Sequence, residues 1–167
     1  MPDDPKHLVR TSALKAEDAT RIRHPLNPNS EVHLHSLGDR VGMQRCQLKL
    51  ARLPPGKESF LPHAHSLEEE FIYIRQGEGR ALIGDVEVSV GPGDYMGFPT
   101  DGTTHHLRND GREDLVYLVG GERLAMDVSR FPTIGKRGVF DGKAATFYDE
   151  ATAQTLPFSA WRPADKD

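Results

Sequence analysis

Three histidines and a glutamate carry the readable chemistry of this 167-residue chain. His63 and His65 stand two apart, Glu70 follows after four intervening residues, and His105 opens a second short segment that ends at Asn109. Neutral imidazoles and a carboxylate make a mixed nitrogen and oxygen donor set suited to Fe, Mn, Ni or Zn. In an extended strand alternate side chains share a face, so His63 and His65 point the same way. Parity does not place Glu70, because Ser66 to Glu69 can loop between the two halves. An isolated His-x-His pair is weak by itself, since exposed polar residues on an edge strand look the same. The second segment strengthens it. His105 and His106 are adjacent, so alternation admits only one of them as a ligand, and residue chemistry alone leaves the two nearly even.

These residues lie in a run of short strands and turns. Pro54-Pro55-Gly56, Gly91-Pro92-Gly93-Asp94 and Thr100 to Thr103 read as turns, with strands over Phe71–Ile74, Tyr95–Pro99, His105–Leu107 and Leu115–Val119. Gln76-Gly77-Glu78-Gly79 is expected to close a hairpin, as is Gly84-Asp85. Val86, Val88 and Val90 alternate with Glu87 and Ser89, which predicts a half-buried strand with its valines inward. Between Gly42 and Leu53 the parity of Cys46, Leu48 and Leu50 predicts the interior, leaving Arg45, Gln47 and Lys49 solvated or at an interface. Cys46 then reads as a small buried hydrophobe. Phe71, Tyr95 and Phe98 are candidate cavity walls, Arg45, Arg52, Arg75 and Arg80 candidate grips for an acidic substrate, and Asn109 a turn holder.

In this order the two segments resemble the motifs of the cupin superfamily. The first is represented by Gly56, His63, His65, Glu70 and Gly77, the second by Gly93, Pro99, Gly102, His105 and Asn109. Each carries one additional residue, between Gly56 and His63 and between Pro99 and Gly102, both in turns where insertion is cheap. The resemblance extends over roughly Val41–Gly120 and implies an all-β, double-stranded β-helix or jelly-roll barrel. It also implies a metal ligand set of His63, His65, Glu70 and His105 for one divalent transition metal ion (Fe, Mn, Zn or Ni), with His105 favoured over His106 by its separation from Gly102 and Asn109. A homodimer is a further implication. Only one set of motifs is present, as in single-domain cupins.

The rest of the chain bounds this picture. Its length suits one domain, divided here into an N-terminal arm (1–30), a barrel (31–122) and a C-terminal extension (123–167). The net charge of −4, with both signs interspersed, gives no footprint for nucleic acid. The single cysteine excludes an intrachain disulfide framework, and no apolar run suggests a membrane span or signal peptide, so a cytoplasmic location is expected. Ser12 is a candidate cap for a short helical turn within Met1–Asn29. Glu31–Ser36 predicts a strand with His33 and His35 on one face, read as surface or dimer-contact histidines. The extension alternates turns with short apolar pieces. It reads as an irregular arm packed on the barrel or a partner, with a disordered end beyond Trp161.

Two classes of function fit. One is a metal-dependent enzyme acting on a small oxygen-rich or acidic metabolite, with dioxygenase ranked first and isomerase or lyase as the alternative. The other is a non-catalytic module that binds a small, sugar-like ligand. One fold carries many chemistries, so substrate and catalytic residues are not assigned at this stage.

Overall fold

The computed structural model describes residues 5–161 of the chain. Among them the strands run in chain order as β1 (Thr20–Ile22), β2 (Val32–Ser36), β3 (Cys46–Leu53), β4 (Ala64–His65), β5 (Glu70–Gln76), β6 (Gly79–Ile83) and β7 (Val86–Val90). They continue as β8 (Tyr95–Phe98), β9 (His105–Arg108), β10 (Leu115–Glu122), β11 (Asp127–Phe131), β12 (Lys136–Phe140) and β13 (Ala145–Asp149). A single turn of helix, α1 (Leu37–Arg40), follows β2. Six strands form one sheet in the order β1-β2-β3-β10-β5-β8. The others form a β7-β6-β9 sheet and a β13-β12-β11-β4 sheet, and every strand pairing is antiparallel. This is the expected all-β jelly-roll class.

The core gathers Val32, Leu34, Ala51, Leu53, Ile72, Ile74, Leu107, Leu115 and Tyr117 from both layers. Its pairing fixes which face of β3 turns inward. Leu53, Ala51 and Lys49 stand opposite Leu115, Tyr117 and Val119 of β10, and Ala51 and Leu53 are fully buried. That inverts the sequence expectation: Cys46 is exposed, Leu48 and Leu50 are on the outer face, and Lys49 points to the interior side.

Other expectations also change. Gln76 to Gly79 is a crossover between sheets rather than a hairpin, because β5 and β6 belong to different sheets. The crossing is tight: Gly77 has φ +79°, and a Cβ there would lie 2.3 Å from the Asp114 carbonyl oxygen. Gly84-Asp85 does close the β6–β7 hairpin. Only Val90 of the three valines reaches the core. β7 is the outer strand of a three-stranded sheet, so Val86 and Val88 face solvent.

His33 is not a surface residue. Its Nε2 donates to Glu31 Oε1 at 2.9 Å and its Nδ1 accepts from Arg52, which also holds Asp114. Ser12 makes no cap: it sits inside a 3-10 turn, Thr11–Ala13, with a second such turn at Ala16–Asp18. The C-terminal segment is more regular than expected, since β11, β12 and β13 form an antiparallel meander whose first strand pairs with β4. The end expected to be disordered, beyond Trp161, lies outside the described residues.

Candidate metal centre

Backbone pairing brings the histidines together before their side chains are considered. His63 and His105 exchange backbone hydrogen bonds of 3.2 and 2.8 Å, so β9 delivers its first residue directly beside the His63–His65 segment. His65 in β4 stands opposite Ser129 in β11. Glu70 begins β5 in the facing sheet and closes the group from the other side.

The ligand atoms of His63, His65 and His105 lie within 4.8 Å of one another. Glu70 Oε1 is 3.2 Å from His105 Nε2, out of hydrogen-bond alignment, and Oε2 is 3.8 Å from His65 Nε2. All four predicted residues therefore meet. His106 turns away, with its Nε2 3.7 Å from Glu58.

Each ring is held from behind. His63 donates Nδ1–H to the Leu61 carbonyl at 2.7 Å, which leaves the Nε2 lone pair free. Its ring stacks on Phe131, with centroids 5.8 Å apart. His65 donates Nδ1–H to Asp127 Oδ2 at 2.7 Å, and Ser129 donates to the same oxygen at 3.0 Å. Such a carboxylate behind an imidazole fixes its tautomer and raises its basicity as a ligand. His105 packs flat against Phe98, centroids 4.0 Å apart and planes 13° apart.

Buried and charged groups in this cluster shift one another. Burial, then repulsion from His105 and His65, pushes the His63 imidazole down to about 3, so it is neutral and able to donate a lone pair. Burial raises the Glu70 carboxyl, but His105 and the other two imidazoles outweigh this and hold it below its ordinary value. Asp127 follows the same logic: burial raises it, and His65, Ser129 and the Leu67 backbone N–H bring it down. A neutral His63 imidazole beside an ionised Glu70 carboxylate fits a divalent ion. The buried Nε2 atoms of His65 and His105 have no hydrogen-bond partner among the described residues, as expected of nitrogens that take a metal instead.

The four side chains border a cavity of about 340 Å³ lined by all three sheets, including Ile72, Tyr117, Val119, Leu107, Phe131 and Phe140. The N-terminal arm contributes His24, whose Nδ1 accepts from the Leu26 N–H at 3.2 Å, leaving Nε2–H as a donor. Of the expected walls, Phe98 backs His105, whereas Tyr95 is exposed and with Phe71 borders a separate outer groove. None of Arg45, Arg52, Arg75 or Arg80 lines the cavity. Arg52 and Arg80 are paired with Asp114 and Asp110. Among the cavity residues missed from the sequence are Lys49, His24, Glu68, Tyr117, Asp127 and Ser129. Asn109 lies apart, fully buried, donating to the Leu53 and Glu113 carbonyls as a turn holder should.

The cupin-domain family matches residues 49–121. A protein assigned as a sugar phosphate isomerase from Acidithiobacillus ferrooxidans superimposes with a TM-score of 0.84 at 35% identity, covering 91% of this chain and 97% of that one. The chain belongs to the cupin superfamily. A cupin-superfamily sugar phosphate isomerase from Silicibacter pomeroyi shares the fold (TM-score 0.73, 23% identity, 86% of this cupin and 96% of that chain). A predicted oxalate decarboxylase from Thermotoga maritima aligns with a TM-score of 0.59 at 27% identity, over 70% of this cupin and 99% of that chain. No curated protein matches this cupin significantly. No helix among the described residues is long and apolar enough to cross a membrane.

Proposed function

We propose that this cupin is a metal-dependent isomerase acting on a small, hydroxyl-rich carbonyl compound of the sugar phosphate class, with His63, His65, Glu70 and His105 as the metal ligands. The observation that carries the reading is the convergence of three held imidazoles and one carboxylate on a cavity of about 340 Å³. That volume lies at the lower end of the range for ligand pockets, so the substrate is small. The 35%-identical relative, matched over nearly its whole length, supports isomerase over the oxygenase ranked first from the sequence. A divalent ion in this site would polarise a carbonyl or hydroxyl oxygen as a Lewis acid.

The chain's own groups do the rest. His65 is kept in one tautomer by Asp127, and His63 by the Leu61 carbonyl. Burial, then the charge of Glu70, pushes the Tyr117 hydroxyl far above its usual range, so it stays a proton donor in the cavity wall. Phe131 and Phe140 on one side and Ile72 and Val119 on the other exclude water, which strengthens every charge interaction inside.

The test is to load the protein separately with Mn, Ni, Zn and Fe and incubate it with aldose and ketose phosphates in deuterated water. Proton NMR reads isomer formation and exchange at the carbon beside the carbonyl, while an electrode follows oxygen. Interconversion without oxygen consumption is expected. Oxygen uptake with no isomer would return the assignment to oxygenase, and binding without turnover under every metal would make this a ligand-binding cupin.

A further inference from the structure

We infer that Lys49 holds the anionic group of the substrate at the end of the cavity away from the metal ligands. The inference rests on the isomerase reading for the identity of the substrate, but not for the presence of an anion site.

Lys49 is the only lysine or arginine among the described residues lining the cavity. It lies on the inward face of β3, next in that row to Ala51 and Leu53, both fully buried. An apolar residue would fill such a half-buried position at no cost, whereas a lysine must keep its charged end hydrated or paired. Pairing does not offset this. The Lys49 side chain makes no hydrogen bond or ion pair among the described residues, and its charge reaches Asp39 without contact. The cavity carboxylates are engaged elsewhere. Glu70 stands against His105, Asp127 accepts from His65 and Ser129, and Glu68 accepts from Gln47. Of the other basic side chains in the lining outside the ligand set, His24 is held toward its neutral form by burial and His106 stands against Glu58. The cavity thus contains one unengaged positive charge.

Its placement suits a small bifunctional ligand. Lys49 pairs with Val119, and Val119 with Ile72, two residues along β5 from Glu70. With strands about 4.8 Å apart and a rise of about 3.4 Å per residue, the two Cα atoms lie about 12 Å apart along the sheet. A separation of about 12 Å between the two backbone positions is one that a short phosphorylated or carboxylated sugar, met by a long side chain at each end, can span. One end would meet the metal ligands and the other the ammonium. The shared chemistry is an oxyanion, a phosphate monoester or a carboxylate, each recognised by lysine as a compact charge-assisted donor.

The experiment is calorimetric titration of metal-loaded wild type, Lys49→Met and Lys49→Arg with four probes: a pentose 5-phosphate, the free pentose, the corresponding sugar acid and inorganic phosphate. Metal content is measured for each protein. Loss of one charge-assisted contact should weaken phosphate-ester binding at least tenfold in Lys49→Met, with free-pentose affinity and metal content unchanged and most of the binding restored in Lys49→Arg. Lys49-dependent binding of the sugar acid instead would keep the anion site and identify its ligand as a carboxylate. Three results would overturn the inference: no anion binding by wild type, equal affinity of wild type and Lys49→Met for the ester, or equal losses for ester and free sugar. The isomerase reading fails separately. Lys49-dependent anion binding without turnover under any metal rejects the isomerase alone, and turnover with an unchanged KM in Lys49→Met rejects the anion site alone.

Discussion

Replacing Asp127 by asparagine tests whether the meander helps make the metal site. The carboxylate accepts from His65 Nδ1 at 2.7 Å, Ser129 Oγ at 3.0 Å, and the Leu67 and Glu68 backbone N–H groups at 3.1 and 3.4 Å. An asparagine in the same rotamer can still accept from the two backbone groups. Its amide nitrogen, however, would face His65 Nδ1–H and Ser129 O–H, donor against donors. His65 then loses both the charge behind it and the bond that fixes its tautomer. Removing a partner of this kind costs about 10- to 100-fold in metal affinity, or about 1.4–2.7 kcal/mol. Because both charge and orientation are lost here, the upper half of that range is expected. Competition against a chromophoric chelator with Zn or Mn measures it, with circular dichroism as the check on folding. A folded Asp127→Asn protein whose metal affinity is within twofold of wild type would refute the reasoning. Complete loss of binding would instead make Asp127 itself a ligand, in line with the neighbouring His65–Glu68–Asp127 grouping.

Three further outcomes are expected. His105→Ala should abolish stoichiometric metal loading while His106→Ala leaves it intact, read by elemental mass spectrometry; equal metal contents would reject the assignment. Gly77→Ala should destabilise the fold by about 2–3 kcal/mol, because the new Cβ meets the Asp114 carbonyl at 2.3 Å in a left-handed backbone conformation. For a chain of this size that is a fall of roughly 4–12 °C in Tm, and an unchanged Tm would contradict the tight crossing. Glu31, held down to about 2 first by the His33 hydrogen bond and then by Arg23, contributes stability that is present above its unfolded value of 4.5 and is lost as pH falls toward 2. Glu31→Gln should therefore show a shallower loss of stability between pH 4.5 and 2 in urea titrations, and curves of identical slope would count against the pairing.

That His63, His65, Glu70 and His105 would meet was legible because its signals are local. A histidine pair two apart on a strand must share a face, and glycines at Gly56, Gly77, Gly93 and Gly102 mark turns that all adopt positive φ. Lys49 and Asp127 were hidden by the reverse logic. Hydrophobic alternation assumes that inward means apolar, but strands bordering a chemical cavity turn polar residues inward. In β11, Asp127, Ser129 and Phe131 are buried while Val128 and Arg130 are not. In β3, Lys49 faces in and the leucines beside it face out. The same rule misread Cys46. The Gln76–Gly79 turn failed for another reason: residues suited to a hairpin serve equally for a step between layers, and only the pairing of distant strands distinguishes the two. His33 was misplaced because Arg52, one of the two groups that hold its ring, is brought opposite it by the pairing of β2 with β3, a registration the sequence does not announce.

The bond between His65 and Asp127 spans 62 positions of sequence, and this sets an order of events during synthesis. All four side chains of the cluster have been made by residue 105, yet the carboxylate behind His65 arrives only with β11, at residue 127. A chain elongating at about 5–20 residues per second therefore carries, for one to several seconds, every group that would touch the metal and nothing that aims His65. An ion met in that interval would find the donor groups before the contact that orients His65.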